Sequence, residues 1–216
     1  MSTSNWQQGK AKSNYHFDWQ REEMPGHDFK WLSRFEGDWD HDLEIIKQQA
    51  QPKTWATRGK NYHPDDPDLE AEQNDLKSAG MNTEQVIFRK VFEFKGIWQT
   101  MIDRLALVNT KQAFHIQYPG EMLNLHIDKQ YEMNDDASKV ARFFIFLEDW
   151  KPGHFMHMGT TFVKWRRGDL LWFDWPNMPH ASANAGWEPR CLIQITGTVT
   201  KFTEDIMLGR VPAIKV

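Results

Sequence analysis

A single cysteine, Cys191, stands in a chain of 216 residues. That scarcity excludes an internal disulfide and any cysteine-cluster metal site, and it suits a reducing cytoplasm, where the protein is expected to reside. No apolar run approaches the ~20 residues that a membrane span needs. The opening stretch "MSTSNWQQGKAKSNYHFDWQREEMPG" lacks the apolar core of a secretory signal. Positive charge is not in excess either: 26 basic against 30 acidic side chains give a formal net charge of -4. Nothing electrostatic therefore favours nucleic acid or an anionic membrane as partner. Internal repeats and low-complexity tracts are missing too.

Apolar residues are plentiful: 40% of the chain is hydrophobic, with 11 Trp and 14 Phe. That is enough for the core of one sizeable domain with an N-terminal extension. Residues 1–27 are polar with scattered aromatics and read as an arm. Its Trp6, Tyr15 and Trp19 could pin it to the domain or to another subunit, so a homo-oligomer is one expectation. "DWDHDLEIIKQQA" (38–50) offers Leu43, Ile45 and Ile46 as a short amphipathic helical face. A second helix is expected over 68–78, stopping before Gly80.

From residue 85 the pattern turns to strands: 85–94, 112–118, 122–127, 140–147, 160–165, 169–175 and 190–200, with a helix at the start of 97–108. Short, turn-marked strands point to an all-β sandwich or barrel, with "RRGD" (166–169) and "NAGWEP" (184–189) as hairpin loops. The expected division is an N-terminal arm and helical extension, 1–84, packed on a β-domain, 85–216.

Three His-x-Asp triplets occur, and with 9 histidines about one is expected by accident. His16-Phe17-Asp18 lies in the arm. His63-Pro64-Asp65 leads into an acidic turn and reads as a cap. His126-Ile127-Asp128 closes a strand, where side chains two apart share a face, so imidazole and carboxylate converge. His180, opening the short strand after "DLLWFDW", is available as a third ligand. Two histidines and one carboxylate on one face of an octahedral ion leave three positions open, the pattern of non-haem Fe(II) oxygenases. Arg190 begins the last long strand. If it points inward, Leu192, Gln194 and Thr196 do so too, while Cys191, Ile193 and Ile195 pack outward. A buried guanidinium needs an anionic partner, and a bound dicarboxylate would supply one.

The series His126-x-Asp128…His180…Arg190 resembles the 2-oxoglutarate- and Fe(II)-dependent dioxygenases, and most of all their prolyl-hydroxylase-like branch. The "YPG" turn at Tyr118-Pro119-Gly120 and the stretch "GDLLWFDWPNMPHASAN" carry the closer likeness, which covers roughly residues 112–200. The resemblance implies a mainly β fold with a helical N-terminal layer, a double-stranded β-helix (jelly roll, cupin-like). It implies Fe(II) held by His126, Asp128 and His180, with 2-oxoglutarate chelating the iron and Arg190 holding its far carboxylate. Tyr118 and Gln194 are candidates to assist that carboxylate; a glutamine at 194 departs from the hydroxyl-bearing residue often found there. O2 would be the co-substrate and ascorbate an accessory reductant. The reaction implied is hydroxylation of a peptidyl residue or small molecule, with release of succinate and CO2.

Other residues have blander readings. Asn124, two before His126, is a candidate to face substrate. His154 and His157 in "HFMHM" suggest a second metal site near a loop, but no acidic third ligand is close in sequence. Arg104 and Arg142 are candidates to meet an anionic substrate, with solvated surface cations as the favoured reading. Trp165, Trp172, Phe173 and Trp175 read as core. Two other functions compete: a non-catalytic cupin-like binding protein, and a mononuclear Zn hydrolase using the same three ligands. Arg190 separates them, because a hydrolase has no use for a dicarboxylate clamp.

Overall fold

The computed structural model describes residues 29–49, 74, 77–78, 89–91, 94–128 and 137–216. In chain order the elements are β1 (Phe29–Glu36), α1 (Asp40–Gln49), β2 (Arg89–Val91), α2 (Ile97–Arg104), β3 (Val108–Gln117), β4 (Met122–His126) and β5 (Val140–Phe146). Then come β6 (His154–Met158), β7 (Thr161–Phe162), β8 (Asp169–Phe173), β9 (His180–Asn184), β10 (Arg190–Thr198), α3 (Lys201–Met207) and β11 (Ala213–Lys215). Among the described residues no helix is long and apolar enough to cross a membrane.

The strands form two sheets, ordered β11-β1-β8-β5-β10-β3-β2 and β4-β9-β6-β7. Their pairing is nested: β3 pairs with β10, β4 with β9, β5 with β8 and β6 with β7, all antiparallel. Folding one long antiparallel ribbon over itself in this way gives a double-stranded β-helix, a jelly roll closed at the sides by two facing sheets.

Alternation along the central strands sorts the core into two layers. Phe143, Ile145, Cys191, Ile193 and Ile195 face outward, onto Leu43 and Ile46 of α1, Trp98, Met101 and Ile102 of α2, and Ile206 of α3. Phe144, Phe146, Leu171, Phe173 and Leu192 face inward, against Met156 and Met158 of the smaller sheet. The near-continuous apolar runs of β5 and β8 follow from burial on both faces.

Several expectations change. α1 buries Leu43 and Ile46, but Ile45 is 41% exposed. β1 was not anticipated at all; it lies inside the larger sheet between β8 and β11, so the 84/85 boundary does not mark the start of the β-domain. "RRGD" and "NAGWEP" are not hairpin loops. Each carries the chain from one sheet to the other, β7 to β8 and β9 to β10. Of the helix expected over 68–78, only Asn74, Lys77 and Ser78 are described, and these are helical. The arm, with its His16-Phe17-Asp18 triplet, and His63-Pro64-Asp65 lie outside the described residues.

Candidate metal centre

The nested pairing brings two distant histidines face to face. β4 and β9 are neighbours, and His126 is the direct cross-strand partner of His180. Their rings lie 4.2 Å apart, centroid to centroid. A register shift between Leu123 and His126 places this pair at the end of the ladder. The chain continues one step, so that Asp128 reaches the same spot. Its Oδ1 is 3.6 Å from His126 Nε2 and its Oδ2 is 3.5 Å from His180 Nε2. All three residues are buried, and among the described residues they form the only such cluster, with ligand atoms within 4.8 Å of one another.

The ring orientations are fixed from behind. His126 Nδ1 donates to the Asn124 carbonyl oxygen at 2.7 Å, and His180 Nδ1 donates to the Met178 carbonyl oxygen at 3.0 Å. Each imidazole is thereby held in the tautomer whose Nε2 carries the lone pair, the arrangement metal-ligating histidines use. Burial, with His126 alongside, pushes His180 down to about 3, so it is neutral at physiological pH. Burial alone would raise the Asp128 carboxyl, but Arg142 and then the two imidazoles outweigh it. They hold Asp128 well below the usual carboxylate range.

Arg142 is a residue that sequence reasoning misplaced. It is 1% exposed, not solvated. Its Nη1 donates to Asp128 Oδ2, its Nε donates to Thr196 Oγ1 at 2.8 Å, and its guanidinium lies 5.2 Å from the centre of the Trp175 ring. Inward orientation follows from its pairing with Thr196, which lies on the inner face of β10. In the sequence, an arginine directly before "FFIF" carries no mark of this.

Arg190 is also buried on the inner face, at 2% exposure. Its Nη2 donates to Gln117 Oε1 at 2.6 Å, while Nε and Nη1 have no partner among the described residues. Burial lowers it to about 10, so it remains charged. The donor set of His126, Asp128 and His180 fits a divalent transition metal, and the two unmatched donor nitrogens of Arg190 fit an anionic ligand.

The other candidates fare differently. Tyr118 points away: its hydroxyl donates to the Lys47 carbonyl oxygen at 2.7 Å and its ring packs on the outer core layer. The period of two explains this, since the inner position on that strand belongs to Gln117. Gln194 stands half-buried on the inner face, flanked by Ala113 and Phe144. Asn124 meets the site through its backbone oxygen, and its side-chain Oδ1 is buried without a partner among the described residues. His154 and His157 do not form a second metal site. They lie on opposite faces of β6, His154 buried with Nε2 3.1 Å from the Glu188 carbonyl oxygen, His157 beside the exposed Phe162 ring.

No family model and no curated protein matches the chain. Among solved structures it is similar to a Pseudomonas putida prolyl-4-hydroxylase, at 18% identity and TM-score 0.45, covering 83% of this chain and 97% of that one. It is also similar to the viral collagen prolyl hydroxylase of Paramecium Bursaria Chlorella virus-1, solved as a 2OG complex, at 15% identity and TM-score 0.41, with 82% and 99% covered. A third likeness is the Schizosaccharomyces pombe Cnp3 cupin domain, at 13% identity and TM-score 0.34, with 58% and 72% covered.

Proposed function

We propose that this chain is a 2-oxoglutarate-dependent non-haem Fe(II) dioxygenase that hydroxylates a C–H bond of a peptidyl residue or a small molecule. The observation that carries the reading is one interior, walled by the inner faces of both sheets, that holds both halves of a cofactor site. His126, Asp128 and His180 converge with both imidazole Nδ1 atoms tied to carbonyls. From the facing sheet Arg190 turns inward with two buried donor nitrogens that have no partner among the described residues. A Zn hydrolase would use the first half and leave the second unexplained.

Within this reading the residues have separate tasks. His126 and His180 turn their Nε2 atoms to the centre, His180 neutral because burial holds it down to about 3, and Asp128 stays ionised because Arg142 faces it. Arg190 takes the far carboxylate of 2-oxoglutarate. When bound, Fe(II) and 2-oxoglutarate together supply the oxidising chemistry, consuming O2 and releasing succinate and CO2. The chain itself orients the ligands and excludes water. Phe144, Phe173 and Met158 wall the inner layer, and the edge of Phe173 lies against His180 with centroids 5.1 Å apart.

The test is an anaerobic titration of the metal-free protein with Fe(II) and 2-oxoglutarate. A weak visible charge-transfer band near ~500 nm is expected of the chelate, and His126→Ala should abolish it. A folded, fully metallated protein that shows no band rules the dioxygenase out and leaves a binding or hydrolytic role.

A further inference from the structure

The Arg190 donor that is satisfied leads to a second residue behind it and a third beside it. Gln117 and Arg190 are direct cross-strand partners in β3 and β10, and Gln117 is fully buried. Arginine has only donors, so the atom it meets must be the glutamine's oxygen. The Gln117 amide nitrogen therefore faces the other way, and it donates to Ser182 Oγ at 2.9 Å, bridging the two sheets. Since Ser182 accepts there, its own hydroxyl proton is left to donate elsewhere. No acceptor for it is found among the described residues.

Ser182 sits two residues after His180, and both are buried on the inner side of β9. Two residues of strand span ~6.6 Å, a reach suited to a ligand chelated at the metal whose far end lies at Ser182. Resting on the dioxygenase reading, we infer that Ser182 donates to the distal carboxylate of 2-oxoglutarate alongside Arg190. Gln117 is the positioning residue that fixes both. It turns the guanidinium so that Nε and Nη1 stay available, and it forces the serine to be a donor. This gives Ser182 the role that a hydroxyl was expected to fill from Tyr118 or position 194.

The arrangement makes Gln117→Glu a discriminating variant. A carboxylate at 117 would accept from Arg190 and from Ser182 at once, cancelling the buried charge and taking the serine's proton. The fold gains an ion pair while the ligand loses both of its donors. Stability and binding should move in opposite directions, which loss of packing alone would not produce.

The experiment is calorimetric binding of 2-oxoglutarate and of pyruvate, which lacks the distal carboxylate, to the Mn(II)-loaded protein under anaerobic conditions. Thermal midpoints are recorded without ligand. The parent should prefer 2-oxoglutarate. Ser182→Ala should weaken 2-oxoglutarate roughly tenfold to a hundredfold, the size of one charge-assisted hydrogen bond, and leave pyruvate and Mn(II) affinity unchanged. Ser182→Thr should restore most of the loss. Gln117→Glu should lose 2-oxoglutarate more severely and melt at a higher temperature than the parent. Parent-like 2-oxoglutarate affinity in Ser182→Ala or Gln117→Glu overturns the inference while the dioxygenase reading stands. A parent that holds Mn(II) but takes no 2-oxoglutarate overturns both.

Discussion

Arg142 and Arg190 are both buried on the inner face of the larger sheet, yet they carry different loads. Arg142 is matched by Asp128, Thr196 and the Trp175 ring. Among the described residues Arg190 has one side-chain partner, Gln117, and two donor nitrogens without any. Removing one member of a matched buried pair strands the other charge, at a cost of about 3–5 kcal/mol. Arg142→Leu should therefore destabilise the metal-free protein by that amount in urea denaturation, because Asp128 is left buried without its cation. Arg190→Met should stay within about 1 kcal/mol of the parent, since it removes a desolvated charge whose donors are mostly unused. A loss in Arg190→Met as large as that in Arg142→Leu would show that Arg190 is balanced within the fold and not held for a ligand. The four residues His126, Asp128, His180 and Arg190 were legible in the sequence because their types, order and spacing are uncommon together. Arg142, Gln117 and Ser182 were not. They are ordinary polar residues, and only strand register turns them inward.

Strands and helices were easier to anticipate than the way the chain moves between them. A period of two in β10 correctly separated Arg190, Leu192 and Thr196 from Cys191, Ile193 and Ile195, because alternation is local. Whether a tight turn closes a hairpin or passes to the opposite sheet is decided by long-range pairing, and "RRGD" shows the difference. Gly168 accepts a hydrogen bond from Phe35 N–H at 2.8 Å and donates to the Phe146 carbonyl oxygen at 2.7 Å, locking the crossing between β1 and β5. Its φ is +83°, and a Cβ there would overlap the Phe35 carbonyl oxygen. Gly168→Ala should cost at least about 2 kcal/mol, combining a left-handed backbone with a backbone clash. Chemical denaturation checks this. A loss under about 0.5 kcal/mol, typical of a neutral surface change, would mean that the crossing can relax, and that β1 is not pinned through this residue. β1 itself went unread because "FKWLSRFE" mixes charges and aromatics without a clean alternation, its partners β8 and β11 lying far along the chain.

At the scale of the whole molecule, the two packed sheets bury imidazoles wholly or in part, and this sets how stability responds to acid. Burial lowers the pKa of His154 and His157 and takes His180 to about 3. An unfolded chain carries ordinary histidines near ~6.5. Below that pH the unfolded state binds protons that the folded state refuses, so stability rises with pH in this window and is lost as pH falls through it. Asp128 acts in the same direction but lower down: its depressed carboxyl adds stability above the ordinary aspartate value of ~3.9, and that contribution goes only in stronger acid. The metal-free protein should therefore show a thermal midpoint that declines steadily from about pH 7 to about pH 5. His154→Gln should flatten part of the slope, because a glutamine can still meet the Glu188 carbonyl without titrating. Mn(II) should raise the midpoint more at the upper end of the range than at the lower, since ligation requires imidazoles without a proton on Nε2. Scanning calorimetry of the parent and His154→Gln, with and without Mn(II), measures all three. A midpoint that holds level or climbs on acidification would mean that these histidines take up protons inside the fold, and a centre built on a neutral His180 donor could not then survive.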